Sequence, residues 1–405
     1  MNSFRKIIFV CLVFVIIFCV MVNKGADILV SGYSSPTWST LEGRYYQKLP
    51  KHDVVSLLSG TFQSEFEQYV ADLVPQRDRV LLGNARIQRW AIEVANSPFG
   101  YIAYPTFFGS EYCYAPSLDV IAEKPYSQRS FSKRRLEKAA ELYGALILEN
   151  PDCNWVYYMP DRPGTFMEQP AAHYVSEMAD YHYFEQNYLN KLPSQCKVVD
   201  GSYSTSAEYF DDHFRTDHHW QVSGAIKGYR SIMNALGREA IEFGEIKETF
   251  GGPYWGAAAR NGCIVAGKGD VCYDVVFNQV PLDITADGVE VKETWLCESY
   301  SNPWPAYEKD DMFSNYYGDW FHRDKGLITI SNSQQKEGAL LIIGDSYTNC
   351  FERFFTLSYN TVYVIDPRFF DSSINDFIVS HGIDDVVISI TAAHAFSDDV
   401  LSKLL

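Results

Sequence analysis

Leu340 to Cys350 read LLIIGDSYTNC, an apolar run that stops at Gly-Asp and places Ser346 where the chain must turn. Branched apolar residues in succession are typical of a strand buried on both faces. Gly344 tolerates backbone torsions that other residues avoid, and the polar residues after it can begin a helix. The pattern predicts a strand, a sharp turn and a helix. It presents the hydroxyl of Ser346 at the C-terminal edge of a sheet.

A serine hydroxyl is a weak nucleophile near neutral pH, so Ser346 requires a base within hydrogen-bond reach. The segment Asp217-His218-His219-Trp220 offers one. Apolar residues then recur at spacings of three and four from Val222 to Leu236, which predicts a helix ending near Gly237. His219 therefore precedes a helix N-terminus, where the helix dipole disfavours the imidazolium by roughly 0.3 to 1 kcal/mol. Asp217 would orient the ring and stabilise the cation formed during reaction.

Together these two segments resemble the DHHW family and the related alginate O-acetyltransferase group of the SGNH superfamily. In that family the serine of Gly-Asp-Ser is the nucleophile, and an Asp-x-His pair completes a triad. Carried over to this chain, the resemblance implies Ser346 as nucleophile, His219 as base and Asp217 as the group that orients the imidazole. It also implies O-acetylation of exported polysaccharide, beside a membrane-bound O-acyltransferase that supplies the acetyl group, and no cofactor.

The second histidine and the nearby acidic residues allow another interpretation. Neighbouring side chains of an extended segment point to opposite faces, so His218 is expected to point away from its neighbours and to pack structurally. The segment from Asp211 to His219 is also dense in possible metal ligands. Neither Cys-x-x-Cys nor His-Glu-x-x-His accompanies it, so we predict no metal site.

Many SGNH esterases carry an Asp-x-x-His pair near the C-terminus. Here Thr391 stands three positions before His394. The earlier pair Asp217 and His219 is therefore favoured, and His394 and His381 are expected to be ordinary surface or packing residues.

Stabilisation of a tetrahedral oxyanion requires donors beside the nucleophile. The backbone N–H of Ser346 or Tyr347 is one candidate, and the guanidinium of Arg368, after a predicted strand, is another. Arg368 could equally begin a helix. The Tyr347 side chain is a candidate for the wall of the acyl pocket.

Short apolar runs separated by helix-length stretches predict a parallel sheet covered on both faces, an α/β fold. The resemblance refines this to an SGNH-like three-layer α/β/α architecture. We expect residues 25–249 and 336–405 to build this domain, with a mostly β insertion at 250–335 near the active site. The predicted strands are Trp155 to Met159, Lys197 to Asp200, Leu340 to Ile343, Val362 to Ile365 and Val386 to Ile390.

The N-terminal residues 1–24 predict a membrane anchor or signal segment. Arg5 and Lys6 precede an apolar run from Ile7 to Val22. Basic residues on this side leave the rest of the chain outside the cytoplasm. No clear Ala-x-Ala cleavage site follows, so a single-pass anchor is favoured, with a cleaved signal peptide and secretion as the alternative.

Composition narrows the class of partner. The net charge of −17 argues against nucleic acid, whose phosphates would be repelled. Aromatic residues make up 15% of the chain and suit sugar surfaces as well as a core. Nine cysteines leave at least one thiol unpaired; Cys263 and Cys272 could close a hairpin, and Cys350 is expected to be buried. Two other functions remain open: a carbohydrate acetylesterase, and an inactive carbohydrate-binding or assembly protein.

Overall fold

The computed structural model divides the chain into two compact units, Met1–Phe99 and Gly100–Leu405. The described residues are 38–39, 44–51, 54–74, 77–96, 104–105, 112–115, 118–168, 175–249, 254–262, 268–275, 280–297, 316–335 and 338–405. The anchor predicted at Ile7 to Val22 lies outside them. Within the described ranges, no helix is both long and apolar enough to cross a bilayer.

Among its described residues, the first unit contains a pair of short strands and three helices. Strand β1 (Trp38–Ser39) pairs antiparallel with β2 (Arg44–Tyr45). The helices are α1 (Val54–Ser59), α2 (Thr61–Asp72) and α3 (Arg77–Asn96). The Asp72 carboxylate at the end of α2 accepts the N–H of Gln47 at 2.7 Å, which joins the residues after the hairpin to the helices.

The second unit is built on an eight-stranded sheet. The strands are β6 (Asn154–Tyr158), β7 (Cys196–Val199), β10 (Asp283–Ala286), β11 (Val289–Val291), β12 (Leu327–Ser331), β13 (Ala339–Gly344), β14 (Thr361–Ile365) and β15 (Asp385–Ser389). Their order across the sheet is β11-β10-β12-β14-β13-β15-β6-β7. Neighbours from β14 to β7 are parallel, as the apolar runs predict. The central, mostly parallel sheet of an α/β fold is therefore confirmed.

The segment expected to be a mostly β insertion extends this same sheet. Strands β10, β11 and β12 add to the edge at β14 in antiparallel pairs. Two small antiparallel sheets lie elsewhere: β3 (Tyr104–Pro105), β4 (Tyr112–Ala115) and β5 (Val120–Glu123), and β8 (Ile246–Glu248) with β9 (Tyr273–Val275).

Two apolar clusters cover the two faces of the sheet, which gives the three layers. Alternate residues of one strand divide between them: Leu341 and Ile343 face one cluster, while Leu340 and Ile342 face the other. The first cluster contains the buried faces of α4 (Lys133–Glu149), α5 (Tyr181–Asn187), α11 (Ile374–His381), α12 (Ala392–Ala395) and α13 (Asp398–Leu401). The second contains that of α7 (Val222–Leu236).

Helix α7 ends as the sequence predicts. Gly237 is its C-cap with φ of 73°, a left-handed conformation that suits glycine. The remaining helices are short: α6 (Ser206–Asp212), α8 (Ala257–Gly262), α9 (Glu293–Leu296) and α10 (Tyr316–Trp320). Cys350 ends a short 3-10 helix and is buried, as expected, whereas Cys263 lies outside the described residues.

Gly344 serves close packing, and this differs from the reason expected from sequence. Its φ is not positive, so the turn does not require an unusual torsion there. A Cβ atom at this position would lie 2.7 Å from the carbonyl oxygen of Ser389 and would overlap the side chain of Thr348. The missing side chain lets β15 and the turn approach β13.

We expect Gly344→Ala to lower the free energy of unfolding by about 1 to 3 kcal/mol, because backbone atoms of β15 must move to admit the methyl group. Urea unfolding measures this change. Gly83→Ala is the matched control, since no atom lies within 4 Å of the added Cβ and alanine favours the helix. Equal midpoints for Gly344→Ala and wild type would contradict the packing argument.

Candidate functional site

A tight loop between α6 and α7 carries Asp217 and His219. The loop is closed at its base, where the N–H of Gln221 donates to the Asp212 carbonyl at 2.7 Å. Inside it, the N–H of Phe214 donates to the carbonyl of His219 at 3.1 Å. The segment is therefore folded back on itself rather than extended.

The loop brings the three side chains of the predicted triad together. His219 Nδ1 lies 2.8 Å from Asp217 Oδ1, and His219 Nε2 lies 2.9 Å from Ser346 Oγ. With its proton on Nδ1, the ring donates to Asp217 and accepts the hydroxyl proton of Ser346. This is the geometry that a nucleophile, base and orienting carboxylate require.

Asp217 is buried, and each of its oxygens has partners. Oδ1 also accepts the backbone N–H of His219 at 3.1 Å. Oδ2 accepts the hydroxyl of Tyr254 at 3.0 Å and the N–H of Ala257, at the start of α8, at 2.7 Å. Burial alone would raise the pKa of Asp217, but its charge interaction and hydrogen bond with His219 lower it well below the usual range. Asp217 is thus held as a carboxylate.

Tyr347 joins the two motif segments and is not among the residues that line the cavity beside Ser346. Its side chain is buried, and its hydroxyl donates to the carbonyl of His218. Its own carbonyl accepts from Trp220 Nε1 at 3.1 Å and from the Tyr317 hydroxyl at 3.3 Å. The Tyr347 N–H donates to Asp345 at 3.2 Å. The Tyr347 side chain therefore connects the two motif segments, instead of lining the acyl pocket as expected.

Asp345, immediately before Ser346, holds the turn in place through contacts with Thr391 and His394. Its Oδ2 accepts the N–H and hydroxyl of Thr391, at 3.0 and 2.6 Å, and lies 2.8 Å from His394 Nδ1. Burial would raise the pKa of Asp345, but the bond and charge of His394 lower it below the usual range. The prediction that His394 is an ordinary surface or packing histidine is wrong, since it binds Asp345 and lines the cavity.

Arg368 lines the same cavity, but its guanidinium already binds two carboxylates. Its Nε lies 2.9 Å from Asp366 Oδ1, and its Nη2 lies 2.8 Å from Asp324 Oδ2. Asn349 Nδ2 donates to the other oxygen of Asp324 at 3.2 Å, so this network is tied to the turn after Ser346. The role of Arg368 as an oxyanion donor stays a prediction.

His218 faces the cavity, and the prediction that it points away is wrong. The loop is bent, so neighbouring side chains do not alternate: the rings of His218 and His219 lie 4.0 Å apart and both line the cavity. Burial lowers the pKa of His218 to about 3, so its ring is neutral near pH 7.

Asp217, His218 and His219 also form a group whose ligand atoms lie close enough to hold a metal ion. However, Asp217 and His219 already bind each other, and His219 Nε2 binds Ser346. Structural zinc normally takes four convergent ligands. The donor set fits the triad better than a metal.

The cavity beside Ser346 has a volume of about 610 Å³ and collects residues from distant parts of the chain. Sequence patterns did not indicate several of them. Tyr317 of α10 stacks on the His219 ring with centroids 3.8 Å apart and planes within 4°. Its position three residues before Trp320 gave no signal, because its role depends on tertiary contact. Further wall residues not predicted are Tyr112, Glu123, Lys124, Tyr126, Arg162, Arg260, His322, Arg323, Asp324 and Asn349.

Residues 179–365 match the family model described as DHHW protein, which confirms the resemblance drawn from sequence. No curated protein matches the chain.

Solved structures show a likeness of fold. A DHHW family protein from Eubacterium siraeum is 18% identical with a TM-score of 0.57, covering 75% of this chain and 99% of that one. PatB1 of Bacillus cereus is 16% identical with a TM-score of 0.54, covering 69% and 96%. PatB1 with a sulfonyl adduct is 16% identical with a TM-score of 0.55, covering 72% and 98%.

We expect Ser346 to react with phenylmethanesulfonyl fluoride, and Asp217→Asn to slow that reaction about 10³- to 10⁴-fold. The amide would favour the imidazole tautomer that cannot accept the serine proton. Intact-mass spectrometry over time measures the labelling rate. Ser346→Ala should gain no adduct, and the exposed control Ser372→Ala should match wild type. Labelling of Asp217→Asn at the wild-type rate would rule out this relay.

We expect His218 to make the fold sensitive to mild acid. An unfolded histidine has a pKa of about 6.5, whereas the pKa of His218 is about 3 in the folded protein. The unfolded state therefore binds a proton that the folded state rejects, and stability falls as pH drops from about 6.5 towards 3. Urea midpoints at about pH 7 and pH 5 test this. His218→Gln should lose less stability than wild type, and an equal loss would count against the buried neutral ring.

Proposed function

Because residues 179–365 match the DHHW family, we propose that this chain is an O-acetyltransferase. It would move an acetyl group through an acyl-enzyme on Ser346 to a hydroxyl of a cell-surface or exported polysaccharide. The observation that carries the proposal is the continuous contact from Asp217 through His219 to Ser346, at 2.8 and 2.9 Å.

In the first half of the reaction, Ser346 Oγ attacks the carbonyl carbon of the acetyl donor. His219 Nε2 takes the hydroxyl proton as the new C–O bond forms, and Asp217 stabilises the resulting imidazolium. The tetrahedral intermediate collapses when the donor's C–O bond breaks and His219 returns the proton to the leaving oxygen. The acetyl group then remains as an ester on Ser346.

In the second half, the acceptor hydroxyl attacks this ester. His219 removes the proton of that hydroxyl, and the intermediate releases Ser346 Oγ, which recovers the proton. Water in place of the acceptor would give acetylesterase activity by the same steps. Transfer therefore requires an acceptor that occupies the cavity and excludes water.

Two groups are suited to the oxyanion. The N–H of Ser346 makes no hydrogen bond to the described residues, and it belongs to the nucleophile itself. The second is the guanidinium of Arg368, which shares the cavity with Ser346. Asp366 and Asp324 hold Arg368 in place, so it would need little reorganisation when negative charge develops.

We also propose that the reaction takes place outside the cytoplasm, with the chain held to the membrane by Ile7 to Val22. Arg5 and Lys6 on the N-terminal side of that run support this orientation. Secretion after cleavage is the alternative. The acetyl donor would come from a membrane-bound O-acyltransferase.

An assay with p-nitrophenyl acetate separates the candidate functions. The protein should release p-nitrophenol, and Ser346→Ala should reduce the rate by about 10⁴-fold or more, to background. Added glycan should divert acetyl to sugar hydroxyls, measured by mass spectrometry of the glycan. Release that no glycan diverts would favour an esterase. No release by the wild-type protein would favour a carbohydrate-binding protein.

A further inference from the structure

We propose that one wall of the cavity, formed by Arg162 and Arg260, is a subsite for an anionic group of the acceptor, a carboxylate or a phosphate diester. This inference rests on the proposed function for the word acceptor, but the binding site itself is argued from charge and geometry. The acetyl group is neutral, so it does not account for these two cations.

Several cationic side chains line the cavity of a strongly acidic protein. The whole chain carries a formal charge of −17. The cationic residues that line the cavity outnumber the acidic ones: Lys124, Arg162, Arg260, Arg323 and Arg368 against Glu123 and Asp324. In a concave site, cations that no carboxylate already matches attract a ligand of the opposite charge.

The arginines differ in how far their charge is already matched. Arg368 binds Asp366 and Asp324, and Arg323 lies 3.4 Å from Asp319. Arg260, which is half-buried on α8, has no carboxylate partner and no side-chain hydrogen bond within the described part of the chain. A half-buried cation without a counter-ion is destabilising, and a bound anion would offset that cost.

Arg162 supplies the second donor group. Its side chain is only 6% exposed, and Nη2 binds Glu123. Its Nε is buried without a hydrogen-bond partner, as is the Nε of Arg260. Two unsatisfied guanidinium nitrogens on residues of one cavity are uncommon, because buried donors are nearly always paired. Small shifts of these side chains on binding would satisfy them.

The location suits an acceptor. Arg162 follows the carboxyl end of β6, the edge of the sheet at which Ser346 follows β13. Arg260 lies one turn after Ala257, whose N–H binds Asp217. Both arginines line the same cavity as His218. An anionic sugar held there would bring a neighbouring hydroxyl towards the Ser346 ester.

Equilibrium binding to Ser346→Ala tests the subsite without any turnover. The probes are tetragalacturonate, its fully methyl-esterified form and a glycerol phosphate tetramer, measured by calorimetry. We expect one of the charged probes to bind at least about tenfold more tightly than the neutral ester. High salt should weaken the binding of that charged probe. Tetragalacturonate alone would indicate a carboxylate, and the glycerol phosphate tetramer alone a phosphate diester.

Adding Arg260→Gln should weaken binding of the charged probe about tenfold and leave the neutral probe unaffected. The exposed Arg134→Gln on α4 is the matched control and should retain affinity. Arg162→Gln alone would leave the half-buried Glu123 without its cation, so Glu123→Gln is combined with it, and a similar loss of affinity is expected.

Equal binding of charged and neutral probes, or full affinity after Arg260→Gln, would overturn the subsite. The outcome is independent of the acyl-transfer proposal. If the protein binds the anionic probe tightly but releases no p-nitrophenol, the subsite proposal stands and the transferase proposal fails. If it releases p-nitrophenol but shows no preference for an anionic probe, the transferase proposal stands and the subsite proposal fails.

Discussion

The site depends on one buried tyrosine that holds two distant segments in register. Tyr347 follows the serine directly, yet its hydroxyl binds the carbonyl of His218 and its carbonyl binds the indole of Trp220. The backbone positions of both motif segments are thereby coupled, and a contact of 2.9 Å between Ser346 and His219 becomes possible. A shift of about 1 Å in either segment would break that hydrogen bond.

Local patterns were sufficient for the parallel strands β6, β7 and β13 to β15, but not for the antiparallel strands that extend the sheet. The assignment of Ser346, His219 and Asp217 also needed the resemblance to a known family. An apolar run such as Leu340 to Ile343 by itself predicts a buried strand. Apolar residues at spacings of three and four predict the helix after His219. Arg162, Arg260 and Tyr317 could not be found in this way. Each is an ordinary residue locally, and its significance comes only from contacts between segments far apart in sequence. His394 was missed for a related reason: its carboxylate partner, Asp345, lies next to the nucleophile rather than three residues before the histidine.

The segment expected to lie over the site as an insertion has two functions in the structure. Its strands β10 to β12 lengthen the central sheet, and several of its other described residues line the cavity. Tyr317 covers the His219 ring, while Asp324 holds Arg368. Packing on the His219 ring and part of the cavity wall are thus supplied by the same part of the chain. A substitution there that reshaped the cavity would also disturb His219.

The place of β15 in the sheet affects how the molecule can be made. This strand, the last of the eight in sequence order, lies between β13 and β6 and pairs with both. Until it is synthesised, the sheet has a gap between the part that bears the serine and the part that leads to the histidine loop. A prematurely terminated chain would keep two unjoined half-sheets with apolar edges, a target for proteases. The two parts of the candidate site can therefore be joined through the sheet only after β15 has been synthesised.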